Sequence, residues 1–104
     1  MKNKKRHIPI ISFNELELKQ KKRQVYTSLV EGVSEAFNND FNEVKLCEVK
    51  HANTYLTVHK SNWSSSLAKA MDFYIEKEQY EMCALIKDLT DRLWNLDYLQ
   101  NMVD

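Results

Sequence analysis

Phe73-Tyr74-Ile75-Glu76-Lys77-Glu78-Gln79-Tyr80-Glu81-Met82-Cys83-Ala84-Leu85-Ile86-Lys87-Asp88-Leu89 is the stretch whose reading decides the fold. Upstream of it Leu67, Met71, Tyr74 and Ile75 line one helical face, and downstream Met82, Leu85, Ile86, Leu89, Leu93 and Leu96 resume the seam. Eleven residues separate Met71 from Met82 and return the phase to within roughly 20°, so phase alone allows one long helix. The cluster Glu76-Lys77-Glu78-Gln79 places charge where the seam should run and predicts a bend instead. The C-terminal part, 64–102, is therefore expected to be an antiparallel helical hairpin.

Working outward, Ser61 to Ser66 supply candidate N-caps for the first of these helices, with Trp63 near its entry. Before them, Val44, Leu46, Cys47 and Val49, then Tyr55, Leu56, Thr57 and Val58, are rich in strand formers, and His51-Ala52-Asn53-Thr54 can be a four-residue loop. Spacings of three and four among Val44, Cys47, His51, Tyr55 and Val58 also fit a helix. The dense Thr54–Val58 run favours a β-hairpin over 43–60, which needs a helix packed on it to persist.

Further back, Ser12 with Glu15 reads as a capping box, and Ile11 with Leu16 as a hydrophobic staple. Leu18, Val25, Leu29 and Ala36, flanked by Tyr26, Val30, Val33 and Phe37, then carry a helix over 12–38 until Asn38-Asn39-Asp40 stops it. Gly32 inside it costs about 1 kcal/mol relative to alanine and can serve a close contact. Residues 1–11 read as a basic flexible tail. The fold class is α+β, mainly α, in a single small domain over 12–104.

The chain has 104 residues with 43% hydrophobic and 29% charged residues, enough for one modest core. No apolar run approaches the roughly eighteen residues of a membrane span. Ile8-Pro9-Ile10-Ile11 is too short for a signal-peptide core, so a cytoplasmic location is expected. One glycine and one proline exclude Gly-rich phosphate loops and Pro-rich linkers. Net charge is zero but segregated: +6 over residues 1–25 and −5 over 72–104. Such a dipole either steers a partner to one end or draws the two ends together.

At Tyr80-Glu81-Met82-Cys83-Ala84-Leu85-Ile86-Lys87-Asp88 the chain resembles the UVR motif, a helical hairpin of excision-repair subunits and protease adaptors. Tyr80 and Glu81 match the opening of its second helix, Cys83 and Ala84 its small pair, and Lys87-Asp88 its Arg-Asp; the likeness spans about 64–96. It departs in lysine for arginine, in cysteine for alanine, and in a helix that runs on into Trp94 and Tyr98. The resemblance implies protein docking without chemistry. It also implies that Tyr80 packs over the turn, that Cys83 and Ala84 let the helices approach, and that Lys87 and Asp88 stay solvated. An ordinary hairpin that completes the core fits the same residues.

Cys83, Thr90, Trp94 and Tyr98 form an aromatic strip beside the leucine seam. It can be a contact patch, although a small domain's need for those rings favours their being covered. Cys47 and Cys83 read as buried thiols. Cys47, His51, His59 and Cys83 lack the paired close spacing of zinc modules. A Cys/His dyad lacks an electropositive, exposed thiol, and Glu76 with Glu78 or Asp88 with Asp91 read as solvated faces.

The composition and motifs thus lead to a non-enzymatic adaptor or regulator without cofactor or metal, docking on a protein through Tyr80, Glu81, Lys87, Trp94 and Tyr98. A nucleic-acid-binding alternative uses Lys2, Lys4, Lys5 and Arg6 of the tail with Lys19, Lys22 and Arg23 on one face of the first helix. A third alternative is a self-associating structural subunit of a larger assembly, bacterial or viral.

Overall fold

The computed structural model describes residues 6–12 and 14–103, with the side chains of 15, 16, 18 and 97–103 outside the description. The protein is α+β and mainly helical. The chain divides into two compact units, Met1–Lys60 and Ser61–Asp104.

The first unit runs β1 (Ile10–Ile11), α1 (Glu15–Gln20), α2 (Lys22–Asn39), β2 (Glu43–Val49) and β3 (Thr54–His59). Its sheet has the order β1-β2-β3. The expected hairpin is β2 and β3, antiparallel, around a loop at 50–53 in which His51 and Asn53 adopt left-handed backbone. The loop falls one residue earlier than the spacing suggests because Thr54 already pairs with Val49.

At the end of the segment read as a tail, Ile10 and Ile11 form a strand; residues 1–5 lie outside the described residues. Ile10 and Ile11 pair in parallel with Glu48 and Val49, and the carbonyls of Pro9 and Ile11 accept from the amides of Glu48 and Lys50 at 2.8 and 2.9 Å. Parallel strands need a long crossover, which α1 and α2 provide. Ile11 is fully buried.

The helix expected over 12–38 is two. α1 ends at Lys21, whose φ of −100° and ψ of 11° leave helical geometry, and α2 starts at the next residue. The cap also lies two residues later than the Ser12 and Glu15 box: Asn14 is the N-cap and accepts from the Glu17 amide at 2.7 Å. Ser12 instead donates its amide and its hydroxyl to the Glu17 carboxylate, the latter at 2.7 Å. These two donors hold the Glu17 carboxyl below its ordinary value. The physical cause of the shift in register is β1, which keeps the chain extended up to Ile11. The Leu16 half of the expected staple and the seam residue Leu18 lie outside the described side chains.

α2 packs its face Leu29, Val30, Val33 and Ala36 on β2. Gly32 faces Val44 so closely that no Cβ fits between them. β2 answers with Val44, Leu46 and Cys47, all buried. Strict alternation would point Leu46 and Cys47 to opposite faces; the irregularity between Lys45 and Cys47 inserts one residue and turns both inward. The other face carries Lys45, whose ammonium lies 4.5 Å from the Tyr55 ring centroid.

Arg6 ties this unit together. Its guanidinium donates through Nη1 to the Ser28 hydroxyl at 2.6 Å and the Ser28 carbonyl at 3.2 Å, and through Nη2 to the Lys45 carbonyl at 2.8 Å. Its Nε stands 3.8 Å from a Glu35 carboxylate oxygen. One side chain from the segment before β1 thereby bridges α2 and β2.

Candidate docking surface on the helical hairpin

The second unit is the expected helical hairpin, α3 (Trp63–Glu76) followed by α4 (Tyr80–Val103), entered through a 3-10 turn at Lys60–Asn62. Asn62, inside the expected Ser61 to Ser66 stretch, is the N-cap of α3, and it makes no side-chain capping bond there. The two helices meet through Leu67, Ala70 and Tyr74 on α3 and Ile86, Leu89 and Leu93 on α4, all buried, and Trp63 is buried as well. Ala70 supplies the small residue of the contact. Ala84, expected to do so, is exposed, and Cys83 is half-buried. At about 100° per residue Ala84 lies well off the Ile86, Leu89 and Leu93 seam, so it cannot face α3.

The bend at 76–79 closes with defined bonds. Gln79 N–H donates to the Tyr74 carbonyl at 2.9 Å and Glu78 N–H to the Ile75 carbonyl at 3.0 Å, the pair of bonds of a Schellman motif. The residue it places in left-handed backbone is Glu78, with φ of 57°. Glycine normally holds that position. The turn leaves Ile75 and Tyr80 outside; Tyr80 is 65% exposed and does not pack over the turn as the motif resemblance implies.

Between α3 and α4 runs a groove of about 330 Å³. Leu67, Met71 and Ile86 form its apolar lining, and Asp72, Lys87 and Asp91 its charged rim. Lys87 Nζ lies 3.2 Å from Asp91 Oδ2, an exposed pair one helical turn apart. Thr90, also in the lining, donates its hydroxyl to the Ile86 carbonyl at 2.8 Å. Trp94 follows one turn beyond Thr90 on the same side of α4 and is 69% exposed. The expectation that this strip would be covered fails for Trp94, because the buried tryptophan of the protein is Trp63. Among the proposed docking residues Glu81 is exposed in the first turn of α4, and Tyr98 lies in α4 with its side chain outside the described residues.

The basic set is described only in part. Lys2, Lys4 and Lys5 lie outside the described residues. Arg6 is committed to Ser28 and Lys45 and its side chain is only 10% exposed, so it is not a free phosphate ligand. Lys19 belongs to α1 while Lys22 and Arg23 belong to α2, and the break at Lys21 divides the stripe expected on one continuous helix. All three are exposed.

Cys47 is buried and Cys83 half-buried, and neither forms a disulfide. Burial pushes the Cys47 thiol up from its ordinary value. Among the described residues no three His, Cys, Asp or Glu side chains come together as a metal site, and no helix is long and apolar enough to cross a membrane. The signal that sequence reasoning missed is the exposure of Leu85 and Leu96, which the seam reading counts as core. No known family model, no curated protein and no solved structure matches this chain.

Proposed function

We propose that this protein is a non-enzymatic interaction module, an adaptor or regulator in the cytoplasm that docks on a protein partner through its acidic helical hairpin. The observation that carries the reading is Trp94. It is a large aromatic ring, 69% exposed, placed beside an apolar groove with a charged rim. Tryptophan at such a position is the residue type that anchors protein interfaces, and an apolar floor with a polar rim is the arrangement that such anchors occupy. Asp72, Lys87 and Asp91 supply the rim contacts, and Tyr80 with Ile75 extends the apolar surface at the turn. The likeness of 80–88 to the UVR motif supports the same class of function.

The test is a tagged pull-down from lysate at moderate salt, with and without nuclease, using the native chain and Trp94→Ala. A stoichiometric protein retained after nuclease and lost with Trp94→Ala is the expected result. Recovery that disappears with nuclease would overturn the reading and move function to Lys19, Lys22 and Arg23. The engagement of Arg6 inside the first unit counts against that alternative.

A further inference from the structure

On the opposite side of α4 from Trp94 lies a second stripe. Leu85 precedes Trp94 by nine residues, half a revolution at about 100° per residue. Glu81, Leu85, Asp88, Arg92 and Leu96 succeed one another at spacings of four, three, four and four, so they share one helical face. All five are exposed, with Leu85 at 41% and Leu96 at 37%. Asp88 and Arg92 already pair along the helix at 3.2 Å.

The order of these residues is self-complementary under a two-fold axis. Leu85 and Leu96 are symmetric about a point between residues 90 and 91, and Asp88 and Arg92 are symmetric about residue 90. When two copies of α4 run antiparallel across that point, Leu85 of each copy meets Leu96 of the other. Asp88 then falls within one residue's rise, about 1.5 Å along the axis, of Arg92 in the opposing copy. A parallel arrangement would instead set Asp88 against Asp88 and Arg92 against Arg92. The charges therefore select both the partner and its direction, as flanking charges do in paired helices.

We propose that the Leu85, Asp88, Arg92 and Leu96 face of α4 is a homodimer contact, in which a second copy of this chain packs antiparallel through reciprocal leucine pairs and reciprocal Asp88 to Arg92 pairs. Two leucine pairs and two ion pairs make a small contact beside the roughly 1,200–2,000 Å² of a stable interface, so the dimer is weak and forms at high concentration. It leaves Trp94 and the groove between α3 and α4 facing away, and it does not depend on their role.

Sedimentation velocity of the full chain from about 10 μM to 1 mM at low salt tests it. The weight-average mass is expected to rise from 12.4 kDa towards twice that value. Asp88→Arg and Arg92→Asp, each alone, place like charges across the axis and are expected to weaken dimerisation at least tenfold. The double variant Asp88→Arg/Arg92→Asp restores opposite charges across the axis and is expected to recover it. Circular dichroism of each variant confirms retained helix content, and Leu96→Glu gives the same loss without touching the charge pair. A chain that stays monomeric at 1 mM would overturn the proposal. So would a dimer indifferent to the single reversals, or a double variant that fails to recover.

Discussion

A Cβ placed on Gly32 would overlap Cγ1 of Val44, so one missing side chain sets how closely α2 approaches β2. Gly32→Ala gains about 1 kcal/mol of helix propensity but forces the strand or the Val44 rotamer to move. Overpacking of this kind costs about 1–3 kcal/mol, and a net loss of stability in urea denaturation is expected. Adding Val44→Ala should recover part of the loss, giving a non-additive pair.

Arg6 donates to three acceptors on α2 and β2. Arg6→Ala is expected to destabilise the protein by about 1.5–3 kcal/mol, the range for hydrogen bonds made by a charged group. Arg6→Lys should recover little, since a single ammonium cannot reproduce a planar fork that spans two elements. Thermal unfolding of both variants distinguishes this structural role from surface charge, for which neither change would matter.

Glu78→Gly is expected to stabilise the helical hairpin by about 0.5–1 kcal/mol. The left-handed backbone at the turn costs a residue bearing Cβ about 1–2 kcal/mol, and glycine returns part of that in the unfolded chain. A higher melting temperature for Glu78→Gly than for Glu78→Ala would be the confirming result.

Glu17 carries a pH dependence of known sign. Its folded-state value is lowered by the Ser12 amide and hydroxyl, so its contribution is present above the ordinary glutamate value and fades as pH falls through the lowered one. The Ser12 amide resonance should titrate at that lower pH. Glu17→Gln should remove the transition.

The two thiols should separate in alkylation. Burial raises the Cys47 value and shields the sulfur, whereas Cys83 is half-buried. Iodoacetamide at neutral pH is expected to label Cys83 first, with Cys47 reacting only in denaturant. Equal rates in the native protein would contradict the burial of Cys47.

Much of this fold is legible one element at a time. The Thr54–Val58 run gives the hairpin, and the charges at 76–79 give the break between α3 and α4, because each depends on residues close in sequence. What escapes the sequence depends on residues far apart. Ile10 and Ile11 are too few to signal a strand, and their partner Val49 lies far along the chain. Both Ser12 with Glu15 and Asn14 with Glu17 satisfy the capping pattern, and only the pairing of β1 decides between them. Trp94 and Leu85 illustrate the limit at the candidate site: periodicity groups apolar residues on a helix but does not say which flank of the seam a neighbour covers.

The parallel pairing of β1 also imposes an order in time. The carbonyls of Pro9 and Ile11 find their amide partners only at Glu48 and Lys50, and Arg6 finds its acceptors only at Ser28 and Lys45. During synthesis the segment Arg6–Ile11 has to wait for some forty further residues before it can settle, while α3 and α4 close across three residues as soon as both exist. The first unit thus matures late around its earliest-made residues. Whatever is fused ahead of Arg6 enters that wait with it, and a tag placed after the hairpin does not.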